Sequence, residues 1–144
     1  MSADDLQGAM AQLSQELQLI NRQIDQLESE VTQIRTQQTS MREAVRAIGE
    51  LDTGATVQVP LGGGAFVRAT IEDIDEVIVD LGGDYAAEQD ATTATETITR
   101  KREALDERAE ELLAELEEVV ARRSEVEQQV QAVQQQAQMP RQGE

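Results

Sequence analysis

Apolar residues recur over the first fifty positions in alternating steps of four and three: Leu6, Met10, Leu13, Leu17, Ile20, Ile24, Leu27, Val31 and Ile34, then Met41, Val45 and Ile48. Only Gln38 breaks the series. A repeat of about 3.5 residues marks a coiled-coil helix, with Leu6 at a d position and Met10 at an a position. The residues between are mostly Gln, Ser, Thr, Glu and Arg, a solvated surface. Ser2 with Asp5 forms a capping pair, and Asp4 and Asp5 complement the positive end of a helix. Gly49 and Gly54 end the run.

A second seam runs through Ile98, Leu105, Ala109, Leu112, Leu116, Val119, Val126, Val130, Val133 and Ala137, with Arg102 and Arg123 at two a positions from which their long stems can snorkel. Thr93 with Glu96 offers its cap, and Pro140 and Gly143 terminate it. The pattern predicts helices over 3–48 and 93–138, each roughly 46 residues or about 70 Å long. Folded back antiparallel, they bury both seams if paired residue numbers sum to 143. Leu6 then meets Ala137, Met10 meets Val133, Leu27 meets Leu116 and Val45 meets Ile98, each a position facing a d position.

Between the helices, residues 56–88 form the only stretch rich in β-branched residues and paired glycines. Val57, Val59 and Leu61 alternate with Gln58 and Pro60, Gly62 to Gly64 interrupt, and the alternation resumes from Ala65 through Phe66 and Val67 to Ile71. After the polar connector Glu72 to Glu76, Val77, Ile78, Val79 and Leu81 lead to Gly82-Gly83, and Asp84, Tyr85 and the residues to Glu88 return. Two isolated hairpins cover little apolar area and expose their edges, so other chains are expected to complete the sheet.

Composition narrows the chemistry. The chain has 144 residues, Phe66 and Tyr85 as its only aromatics, no Trp, no Cys and no His. A compact globular core, a disulfide framework, a thiol nucleophile and a Cys-based zinc site are therefore excluded. The net charge of −17 repels phosphate backbones and anionic lipids, so neither nucleic acid nor a membrane is the expected partner. No apolar run reaches the roughly 18 residues of a membrane span and no signal-peptide pattern opens the chain, so a cytoplasmic location is expected. Lys101 is the only lysine, and the carboxylate excess suits a halophilic cytoplasm at molar salt, where the Debye length is about 3 Å.

Val59-Pro60-Leu61-Gly62-Gly63-Gly64-Ala65-Phe66 in the first hairpin, Gly82-Gly83-Asp84-Tyr85-Ala86-Ala87-Glu88 in the second, and flanking heptad helices of equal length together resemble the alpha class of archaeal prefoldin subunits. The resemblance covers nearly the whole chain, and two hairpins match the alpha class because the beta class typically has one. It implies an α+β, mainly α fold: a long antiparallel two-helix coiled coil with two linked β-hairpins, a single domain over 1–144. It also implies a hexamer of two alpha with four beta subunits whose hairpins build a shared β-barrel. Its coiled-coil tips would hold unfolded client proteins for a group II chaperonin, with no nucleotide or other cofactor. The extra glycine and Asp84 at the second turn, and a Thr-rich start to the second helix, depart from the family pattern.

Candidate sites follow. The oligomerisation residues are Val57, Val59, Leu61, Phe66, Val67, Ile71, Val77, Val79, Leu81 and Tyr85. At the tips, Gly8 weakens the helix by about 1 kcal/mol relative to Ala, small Ala137 faces Leu6, and Leu19 falls off the seam. The client-binding residues are Leu6, Met10, Leu13, Val130, Val133 and Met139. Gly62 to Gly64 lack the Gly-Lys-Ser/Thr signature of a phosphate loop, Asp73, Asp75 and Glu76 lack the other ligands of a calcium loop, and Glu110, Glu111, Glu117 and Glu118 have no apolar pocket to raise a pKa. The basic run Arg100-Lys101-Arg102 pairs with neighbouring glutamates in this reading, and no residue is assigned to catalysis. The competing reading is structural: a coiled-coil scaffold or filament-forming homo-oligomer that uses the same seams and strand edges without clients.

Overall fold

The computed structural model describes residues 2–138. Two helices of 48 residues each, α1 (Ala3–Glu50) and α2 (Ala91–Gln138), enclose four strands: β1 (Thr56–Gly62), β2 (Ala65–Thr70), β3 (Val77–Gly82) and β4 (Tyr85–Gln89). The strands form two separate antiparallel hairpins, β1 with β2 and β3 with β4, and no closed barrel forms among the described residues. The expected fold class of long helices flanking two hairpins is the one observed. The chain divides into two compact units, one of residues 35–106 and the other of residues up to 34 with those from 107 onward.

The start of α1 uses the expected capping pair. Asp5 N donates to Ser2 Oγ at 3.1 Å and Ser2 N donates back to Asp5 Oδ2 at 3.3 Å. Hydrogen bonding of the Asp5 carboxylate to Ser2, with the side-chain hydroxyl first and the backbone N–H second, holds the Asp5 pKa below the usual carboxylate range. The start of α2 differs from the sequence expectation. Asp90 caps it, accepting from Thr93 N at 2.7 Å, and Thr93 becomes a residue of the first turn. A carboxylate facing backbone N–H groups is the stronger cap at a positive helix end, and those bonds lower the Asp90 pKa. At the other end of α1, Gly49 stays helical, and Gly54 supplies the left-handed turn with φ 84°. Pro140 and Gly143, expected to stop α2, lie outside the described residues.

In the unit of residues up to 34 with those from 107 onward, the core is the predicted seam. Ile20, Ile24, Leu27, Val31 and Ile34 of α1 and Ala109, Leu112 and Val126 of α2 are buried. Leu13, Leu17, Leu116 and Val119 pack around Ile20, Ile24 and Val126. Arg123 reaches Asn21 at 3.4 Å, a pair whose numbers sum to 144. A heptad slip would move that sum to the region of 136 or 150, so this contact fits the expected antiparallel register.

Each hairpin turns through glycines. Gly63 and Gly64 have φ 59° and 82°, and Gly83 and Asp84 have φ 51° and 54°, the positive values a two-residue hairpin turn needs. Asp84 is the only described non-glycine residue there, a conformation that Asp tolerates better than most. Both hairpins also shift register one residue before the turn, after Pro60 in the first and after Asp80 in the second. The two are copies of one design.

Candidate interaction surfaces

The first surface belongs to the hairpins. Pairing across β1 and β2 places Val57, Val59, Val67 and Ala69 on one face and Pro60 and Phe66 on the other. Leu61 is 68% exposed, and Phe66, Val67, Val59 and Leu81 are exposed too. Val57, Val77 and Ile71 are half-buried. The second hairpin divides its apolar residues sharply. Val79 is 6% exposed, beside a cleft lined by Met41, Ala44, Ile48, Val77 and Ile98 of the same unit. Its neighbour Ile78 is 71% exposed and Tyr85 77%.

Val79 is thus already occupied within the chain, and Ile78, absent from the candidates above, presents the surface. The signal for Ile78 was strand alternation: if one of two neighbours faces its own chain, the other faces out. The connector is held by turn chemistry. Asp73 Oδ1 accepts from Asp75 N at 3.0 Å, and Thr53 Oγ1 accepts from Ile74 N at 3.1 Å.

The second surface lies where α1 begins and α2 ends. Leu6, Met10, Leu13, Val130 and Val133 are all half-buried, in contrast to the buried seam from Ile20 to Ile34. Ala9, Leu13, Ala132 and Val133 line one shallow cleft there, rimmed by Gln12, Glu16, Gln129 and Gln136. Met139 lies outside the described residues. Arg122 bonds to Glu16 across the helices and to Glu125 at 3.5 Å, and the Glu16 carboxylate raises the guanidinium pKa. Arg108 likewise spans Glu30 at 3.7 Å and Glu111 at 3.2 Å. These pairs are solvent-exposed and contribute little individually. The floor of the cleft is apolar, and its rim combines three side-chain amides with the Glu16 carboxylate.

The fold and both surfaces can be set beside known proteins. Residues 20–136 match the family model described as Prefoldin subunit. The chain belongs to the prefoldin family. This prefoldin is 46% identical over 93 residues to prefoldin subunit alpha of Haloarcula marismortui, a match covering 65% of this chain and 60% of that one. It is 56% identical over 68 residues to prefoldin subunit alpha of Halorubrum lacusprofundi, covering 47% and 45%. Prefoldin subunit alpha of Methanosarcina barkeri is 37% identical over 108 residues, covering 71% and 72%. The prefoldin chain therefore spans about half the length of the haloarchaeal relatives it matches. Among solved structures it is similar to filamentous PFD from Methanocaldococcus jannaschii, with a TM-score of 0.54 and 25% identity over 75% of this chain and 98% of that one.

Proposed function

We propose that this prefoldin chain is the alpha-type subunit of a chaperone that works without ATP. In this reading the exposed hairpin residues join it to single-hairpin beta subunits, two alpha with four beta, through a shared β-barrel. The start of α1 and the end of α2 hold unfolded client proteins, which pass to a group II chaperonin in the cytoplasm of a halophilic archaeon. The observation that carries client holding is the change along the seam, from buried at Ile20 to Ile34 to half-buried at Leu6, Met10 and Leu13, with an apolar cleft at Leu13 and Val133. One such contact is weak. Several arms on one body raise avidity by multivalency, and each contact still releases easily.

Gly62, Gly63 and Gly64, which a phosphate loop would need free, form the first hairpin turn, which supports a role without ATP. The test is whether the purified protein, with a single-hairpin prefoldin subunit, suppresses aggregation of a diluted denatured protein at stoichiometric amounts without nucleotide. Suppression only after ATP is added, or none at all, contradicts the reading.

A second reading has its own support: one solved structure similar to this chain is a filamentous PFD, and exposed hairpin edges serve a filament as well as a closed assembly. Sedimentation separates the two. A mass that stops growing with concentration favours the closed complex, and open-ended growth of this chain alone favours the filament.

A further inference from the structure

In the unit of residues up to 34 with those from 107 onward, the two sides of the seam carry different chemistry. Glu16 and Glu30 of α1 precede the a positions Leu17 and Val31, and Arg108 and Arg122 of α2 precede Ala109 and Arg123, so all four occupy g positions. In an antiparallel pair the g positions of both helices flank one side of the seam and the e positions the other. Arg122 bonds to Glu16, Arg108 lies 3.7 Å from Glu30, and each arginine holds a further glutamate of α2, Glu125 or Glu111. The g side is thus bridged by two arginines.

Leu113 and Val120 follow the seam residues Leu112 and Val119 and take successive e positions of α2, where charged residues are usual. They stay 40% and 39% exposed, against 1% for Leu112, so folding of the chain covers them only in part. Glu110 and Glu117 each lie three residues before one of them, which makes Glu110, Leu113, Glu117 and Val120 one stripe along α2. Neither carboxylate has an ion pair among the described residues, and Glu28, at an e position of α1, has none either. The e side is therefore apolar with uncompensated negative charge beside it.

We propose that this stripe docks a basic amphipathic segment of a client protein, bound as a helix along α2. Its apolar residues lie against Leu113 and Val120, and its Lys or Arg side chains against Glu110 and Glu117. Two apolar anchors one heptad apart, about 10 Å along the axis, match the i and i+7 residues of a second amphipathic helix. The sign of the charge selects the occupant: an acidic segment is repelled, and a second copy of this arm would bring Glu110 and Glu117 against their own kind. At molar salt the carboxylates act only over about 3 Å, so a cation must be in contact, and the apolar pair supplies the part of the attraction that salt leaves intact. This rests on the reading that the arms hold unfolded chains, and it adds a second place along the arm and the chemistry held there.

Fluorescence anisotropy on the full chain in complex with the single-hairpin subunit tests this with two labelled peptides, an amphipathic helix of leucine and lysine and its counterpart with glutamate in place of lysine. The lysine peptide is expected to bind about tenfold or more tighter than the glutamate peptide. Glu110→Gln with Glu117→Gln, and separately Leu113→Ser with Val120→Ser, should each weaken the lysine peptide by about tenfold at unchanged helicity. The same charge loss at Glu107 and Glu118, on the outer face of α2, should change it by no more than about twofold. Equal binding of both peptides, or equal weakening by the outer-face pair, overturns the proposal, because attraction would then be apolar alone or spread over the whole acidic chain. Concentration-dependent self-association that Leu113→Ser with Val120→Ser abolishes makes a second copy the occupant and overturns it too. A complex that binds the lysine peptide at the stripe yet suppresses no aggregation overturns the chaperone reading while the docking site stands.

Discussion

Gln38 of α1 donates its side-chain amide to the Asp106 carboxylate of α2, and the same nitrogen lies 3.5 Å from the Arg102 carbonyl. Gln38 is 6% exposed, and no buried side-chain polar atom among the described residues lacks a partner. The gap in the apolar series is therefore a satisfied polar position. Its numbers sum to 144 with Asp106, the same sum that Asn21 and Arg123 give in the other unit. A polar seam residue fixes register, because any slipped pairing leaves it unbonded among apolar side chains. Asp106→Ala is expected to destabilise the protein by about 1 kcal/mol, the net value of one such bond, while Gln38→Leu leaves the thermal midpoint equal or higher. Disulfide trapping of cysteines at Leu27 and Leu116 should stay efficient within one chain in the wild-type background and weaken in Gln38→Leu. Equal trapping in both would remove Gln38 from register control.

Val79 and Ile78 are neighbours with opposite duties. Val79→Ala removes two buried methyl groups and should cost about 1.5 to 3 kcal/mol in the isolated chain, read by denaturant unfolding. Ile78→Ala should leave isolated stability within about 0.5 kcal/mol and instead weaken the complex with the partner subunit. Matching losses for both in the isolated chain would contradict the division of the β3 faces.

The two helix caps set an acid limit. Asp5 and Asp90 both have pKa values held below the usual carboxylate range by their capping bonds. Their contribution is present above the ordinary carboxylate pKa and is lost as pH falls through the depressed folded value. Helicity should therefore decline below about pH 4, starting at the first turns. Asp90→Asn keeps the cap and should flatten that decline at α2, whereas Asp90→Ala should fray the turn at neutral pH. Residue-resolved amide shifts across a pH series check this, and an acid decline unchanged in Asp90→Asn would refute it.

Much of this was legible in the sequence because heptad spacing reports directly on burial: the residues from Ile20 to Ile34 that the pattern puts in the seam are buried. The hairpins were legible from paired glycines. The start of α2 was misplaced because Thr93 with Glu96 and Asp90 with Thr93 both look like caps, and the stronger acceptor decides. Which strand residue faces its own chain depends on how the hairpin lies on the helices, so Val79 and Ile78 could not be separated by composition. The bonds from Gln38 to Asp106 and from Lys101 to Asp80 cross 68 and 21 positions, and no local pattern encodes them.

Charge sets the working conditions. With 29 acidic and 12 basic residues, and ion pairs across the helices at Arg122 with Glu16 and Arg108 with Glu30, the excess carboxylates repel one another. At 0.01 M salt that repulsion reaches about 30 Å, and at 1 M about 3 Å. Circular dichroism and sedimentation across a KCl series should show helicity and assembly rising with salt. Full helicity and an intact complex at low salt would leave the acidic surface without a halophilic role.

The central claim is that holding and assembly use different residues of one chain. The most direct measurement compares aggregation suppression with complex mass for two variants, Leu13→Ser with Val133→Ser in the terminal cleft, and Leu61→Ser with Ile78→Ser on the hairpins. The first is expected to lose most suppression at unchanged mass, and the second to lose mass. Cleft variants that suppress aggregation as well as the wild type, in a complex of the same mass, would contradict it.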